Sequence, residues 1–96
     1  MTSQDFSSLH DAVLIGIDYD WERSEAQMLV RAGGPGSRDA RISLKGVRSI
    51  AIPRENPWGP SSSINEATLE EGVLTLEMQS GDVIVVKAGE VSCDAI

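Results

Sequence analysis

An all-β fold, an antiparallel sandwich or partly open barrel of about six or seven short strands, is the architecture this chain predicts. Three observations carry that reading. Apolar and polar residues alternate with period two along most of the chain, turn residues interrupt the alternation at short intervals, and aromatics are only 4% of the sequence. The core must therefore come from Val, Ile, Leu, Ala and Met, a supply rich in β-branched side chains that suits strands.

The first strand is expected from Val13 to Trp21, with Val13, Ile15, Ile17, Tyr19 and Trp21 on one face and Gly16, Asp18 and Asp20 on the wet one. Glu22-Arg23-Ser24 turns it back into a second strand from about Glu25 to Ala32, where Ala26, Met28 and Val30 share a side. The run Gly33-Gly34-Pro35-Gly36-Ser37 breaks that strand. A third follows from about Asp39 to Lys45, with Ala40, Ile42 and Leu44 opposite charged and polar neighbours. A short extended piece, Val47 to Ile52, leads into a loop that holds Pro53, Pro57 and Pro60, three of the four prolines, together with Trp58, one of two tryptophans. Proline fixes φ and removes a donor, so this loop is neither helix nor central strand and has few conformations open to it.

Beyond the loop, Asn65 to Glu70 is extended and Glu70-Glu71-Gly72 reverses it into Val73–Gln79, where Leu74, Leu76 and Met78 alternate with Thr75, Glu77 and Gln79. Ser80-Gly81 reads as a two-residue hairpin connection, which needs the positive φ that glycine supplies. Val83-Ile84-Val85-Val86 is apolar on both faces and predicts a central strand or one covered from both sides. Gly89 marks a bulge or bend, and Cys93 falls in the C-terminal tail. Only Ser3 to Asp11 has helical character, enough for at most one short N-terminal helix.

Ninety-six residues make a single domain, 1–96, that buries about 65% of the surface its unfolded chain exposes. A lone cysteine and the absence of a signal segment or apolar span predict a soluble cytoplasmic protein without membrane attachment. The net charge of −7 repels phosphate backbones and argues against nucleic-acid binding, while it favours a basic protein partner.

Few residues carry chemistry. His10-Asp11 is the one pairing suited to general base work, but neighbours on an extended chain point to opposite sides, so the expected role is a cap or turn. Asp18, Asp20 and Glu22 line one face of a strand in the manner of a cation site. The calcium-loop pattern fails, because Arg23 stands where glycine is needed and Leu29 where glutamate is needed, so a solvated acidic face is expected. The glycine run at Gly33 lacks the lysine and helix of a phosphate cradle. Ser61 lacks the following glycine and helix of a nucleophile elbow, and its hydroxyl is expected to bond backbone groups within the loop. No cysteine and histidine cluster exists for zinc, and Cys93 has no base near it in sequence. Neither a metal, a cofactor nor a catalytic residue is assigned. Trp58 has two readings: a plug that packs its ring into an open end of the core, or an exposed anchor beside Arg54 and Asn56 for a partner.

Leu9-His10-Asp11-Ala12 entering a first strand, Asp20-Trp21 closing it, Gly46-Val47, and Pro57-Trp58-Gly59-Pro60-Ser61 followed by Ile64-Asn65 resemble a family of small, largely uncharacterised bacterial proteins. Some of its members are labelled immunity proteins of toxin systems. The resemblance implies a cytoplasmic β protein that neutralises a partner by binding it. The residues expected to meet a partner are Arg54, Asn56, Trp58, Ser61 and Asn65 in and beside the loop, and Asp18, Asp20 and Glu22 on the acidic face. Two alternatives stay open: a small-ligand or hydrolytic domain that uses His10, Asp11 and the 53–65 loop, and a structural protein that self-associates through a strand edge.

Overall fold

A computed structural model describes residues 9–32 and 38–95. Of the Ser3–Asp11 segment expected to have helical character, the part before residue 9 lies outside the described residues, as does the Gly33–Ser37 connection. Within them the chain is all-β, with β1 (Val13–Asp20), β2 (Glu25–Arg31), β3 (Asp39–Lys45), β4 (Ser49–Ala51), β5 (Ile64–Glu70), β6 (Val73–Met78), β7 (Val83–Lys87) and β8 (Glu90–Ala95). No helix among the described residues is long and apolar enough to cross a membrane.

The strands form two antiparallel sheets, ordered β1-β2-β3-β8 and β4-β7-β6-β5. They are joined on both flanks. On one, β3 runs into β4 and β7 into β8, so the pairs β3·β8 and β4·β7 make one ribbon bent at a corner, with Lys45 opposite Glu90 before it and Ser49 opposite Lys87 after it. The Arg48 N–H donates to Lys87 O (2.8 Å) and the Gly89 N–H to Lys45 O (2.9 Å), so the ladder is kept through the bend. The expectation of a bend at Gly89 holds here. On the other flank Val13 bridges Ser63, the Leu14 N–H donates to Ser62 O and the Ile64 N–H to Ala12 O, both at 2.8 Å. Two sheets closed on themselves in this way form a partly open barrel.

Alternation decides what lies inside it. Met28 and Val30 on β2, Ile42 and Leu44 on β3, and Leu74 and Leu76 on β6 are all inaccessible to solvent. Their strand neighbours Gln27, Arg41, Lys45 and Glu77 are exposed.

Three expectations are corrected. A bulge shifts the β1 register between Leu14 and Gly16. An extra residue in a strand exchanges the faces, so Ala12 and Leu14 point inward before the bulge and Ile17 after it, while Val13 and Ile15 are exposed. The hairpin at Ser80-Gly81 is longer than two residues, because the Gly81 N–H donates to Met78 O and the Met78 N–H donates to Asp82 O. The two-residue primed turn falls instead at Glu71-Gly72, where both φ values are positive (49° and 78°) and Glu70 pairs with Val73. β7 is central in its sheet as expected, with Ile84 and Val86 buried on its inner face and Val83 exposed. Cys93 does not sit in a tail. It lies in β8 opposite Ile42, partly buried against the core.

Candidate functional site

The proline loop is fixed from below by one carboxylate. Asp82 follows the β6–β7 turn and is 5% exposed. Its Oδ1 accepts the Glu55 N–H (2.8 Å), and its Oδ2 accepts the Asn56 N–H (3.0 Å) and the Ser80 hydroxyl (2.7 Å). Successive backbone N–H groups aimed at an anion form a small nest, and such charge-assisted bonds are stronger than neutral ones. Asn56 completes the nest with a left-handed φ of 51°, a conformation asparagine tolerates. Burial alone would push the Asp82 carboxyl up; the Ser80 hydroxyl, the Glu55 and Asn56 N–H groups and the positive charge of Arg54 outweigh it and hold the group below the ordinary carboxylate range.

From that anchor the loop is pinned again by the Trp58 N–H, which donates to Ser80 O (2.7 Å), and by a turn in which the Gly59 N–H donates to Asn56 O (3.0 Å). The backbone of residue 58 is therefore tied to the β6–β7 hairpin while its side chain is not covered. Trp58 is 81% exposed, with one edge of its indole over Gly81. The plug reading is thereby replaced by a ring displayed on a braced loop. Arg54 is exposed and makes no ion pair among the described residues, and the Asn56 Oδ1 is buried without a hydrogen-bond partner. Ser61 Oγ accepts the Ser63 N–H (3.2 Å), the local role expected for it.

A cleft of 330 Å³ separates this loop from β1. Ile15 and Ile17 line one wall, Ile52, Pro53 and Arg54 the other, with Met78 and Ile84 also in the lining. The bulge places Ile15 there, and the phase expected from simple alternation hid it.

The remaining sequence candidates fall elsewhere. Residues 9–12 form a turn, with Asp11 at φ 66°, so His10 and Asp11 do meet: Nε2 lies 3.4 Å from Oδ2. The two side chains are not sent to opposite sides, because the segment is a turn and not extended. His10 Nδ1 faces the Asn65 carbonyl oxygen at 2.5 Å and so carries the proton of that bond, while Gln79 Nε2 donates to Asp11 Oδ1. Asn65 Nδ2 donates to Glu77 Oε1 at 2.9 Å. This network joins the 9–12 turn to β5 and β6, and neither His10 nor Asp11 lines the cleft. Asp18 and Asp20 are exposed on β1 and Glu22 in the following turn. Asp20 accepts the Arg23 N–H (3.1 Å), and beyond it the Trp21 ring, 83% exposed, meets Tyr19 edge to face at 6.2 Å. Among the described residues no group of three or more His, Cys, Asp or Glu could hold a metal ion.

Sequence reasoning missed Asp82. The signal was present in its position, a carboxylate two residues after Ser80 and directly before four apolar residues, where a turn serine and an aspartate commonly take up backbone donors.

No family model, curated protein or solved structure matches the chain.

Proposed function

We propose that this protein is a non-enzymatic binding domain that recognises a protein partner through the Trp58 loop. One observation carries the reading: a buried, ionised carboxylate and paired backbone bonds hold a loop whose largest side chain is left in solvent. A core does not need that ring, whereas interfaces do, since exposed Trp and Arg on a preorganised backbone are the residue types that carry binding energy. Arg54 and Asn56 flank it on the same braced segment.

The acidic surface supports a basic partner, because a net charge of −7 raises the encounter rate with a cationic protein and suppresses acidic competitors. An immunity-type role, neutralising a basic toxin in a reducing cytoplasm, fits this chemistry and the lone cysteine.

The test compares affinity capture from source-cell lysate by the natural protein and by Trp58→Ala, with folding of both checked by circular dichroism. A stoichiometric basic partner retained by the first, lost by the second and weakened by salt supports the reading. Equal capture by both, or recovery of the protein with itself alone, overturns it.

A further inference from the structure

We propose that the outer edge of β1, from Ile17 to Asp20, accepts an added strand from a partner protein, an extended segment in which basic and apolar residues alternate. The inference deepens the protein-binding reading above and rests on it.

β1 stands at the end of its sheet. The Leu14 N–H already turns away from β2 to reach Ser62 O, the last bond on that side among the described residues. Past the bulge, Ile17 opposes Met28 and Tyr19 opposes Ala26. Antiparallel ladders alternate their bonding direction, so Ile17 and Tyr19 present their N–H and C=O groups outward, as Leu14 does. No backbone bond to those groups is found on the outer side among the described residues. The edge lacks the lysine or proline that commonly blunts such edges.

The chemistry of the occupant follows from the two faces. Outward, β1 offers Asp18 and Asp20, with Glu25 beside Asp20 on β2. A second copy of this chain would bring those carboxylates against their own kind, and like charges in cross-strand contact are destabilising. Lysine or arginine at alternate positions of an incoming strand is attracted instead. Inward, the added strand continues the layer of Ile17, next to the 330 Å³ cleft that starts at Leu14 and Ile15, so its other positions are aliphatic. Main-chain bonds supply affinity and alternate side chains supply specificity in this mode of recognition.

The full chain, labelled with nitrogen-15, is titrated with a capped Lys-Val-Lys-Val-Lys-Val peptide, with its Glu-Val counterpart, and with two versions of the first N-methylated on either set of alternate amides. The expected result is saturable shifts at Ile17–Asp20 and around the cleft, with one N-methylated version at least about tenfold weaker than the other. The variant carrying Asp18→Lys and Asp20→Lys then prefers the Glu-Val peptide. Shifts scattered over the acidic surface, or equal binding by both N-methylated versions, overturn the proposal. Shifts confined to the Trp58 loop remove the edge and leave the loop reading intact. A cellular partner kept by Trp58→Ala but lost by the Asp18→Lys, Asp20→Lys variant removes the loop reading and leaves the edge.

Discussion

The indole of Trp58 lies so close over Gly81 that a β-carbon at residue 81 would fall 2.2 Å from both Cδ1 and Nε1. Gly81 also has φ of +95°, so the hairpin that carries Asp82 and the loop that carries the ring meet at a residue that admits no side chain without strain.

Gly81→Ala should cost about 1–2 kcal/mol from the left-handed backbone alone and should push the ring aside. Trp58→Ala, by contrast, should stay within about 1 kcal/mol of the natural protein, because most of the ring is already in solvent. In a double-mutant cycle by urea unfolding, the cost of Gly81→Ala should fall when alanine replaces Trp58, which isolates the ring contact from the backbone strain. Additive costs would show that the ring does not rest on Gly81.

The depressed Asp82 carboxyl links stability to pH. Its folded pKa lies below the unfolded value of about 3.9, so the stabilisation is fully present above that value and is lost as pH falls through the folded pKa. Urea midpoints should therefore drop in acid, below pH about 4, with Trp58 fluorescence reporting release of the loop. Asp82→Asn should lower Tm by several degrees at neutral pH and should flatten that acid decline. An unaltered acid profile in this variant would assign the decline to other carboxylates.

Leu76 is inaccessible to solvent on β6, whereas Trp21 is almost entirely exposed. Leu76→Ala should cost about 2–5 kcal/mol through lost burial and the cavity left behind. Trp21→Ala should change thermal stability by less than about 1 kcal/mol, although a larger side chain is removed. Calorimetry of the two variants checks the assignment of inside and outside, and a reversed order would contradict it.

Burial, and then the negative charge of Asp94, push the Cys93 thiol above its ordinary range. The thiolate is the reactive form, so a thiol reagent should label native protein more slowly than it labels a free cysteine at pH 8, with the rate rising toward higher pH. Denaturant should remove the difference. Rapid native labelling would place Cys93 outside the β8 position that opposes Ile42.

Strand content was readable because period two needs only neighbouring residues. Ala26, Met28 and Val30, or Ile42 and Leu44, declare an inner face through local spacing, and the structure buries them all. Gly72 declares a turn for the same reason. The polar loop between Ile52 and Ile64 was equally plain, since three prolines exclude the ladder.

What local spacing could not carry was any relationship across long stretches of chain. The bulge between Leu14 and Gly16 follows from matching β1 to β2 on one side and to Ser62–Ile64 on the other; its one local trace is the mid-strand Gly16, which the alternation absorbs into the polar face. Whether Trp58 was plug or display depended on how the loop is seated: Asp82, more than twenty residues away, accepts the Glu55 and Asn56 N–H groups, Ser80 O accepts the Trp58 N–H, and the ring is left exposed. Composition and alternation thus determined an acidic β domain with a stiff aromatic loop. The direction that loop faces, and the strand edge left open beside it, were decided by tertiary hydrogen bonds, because a backbone donor bonds whichever acceptor the fold brings within reach.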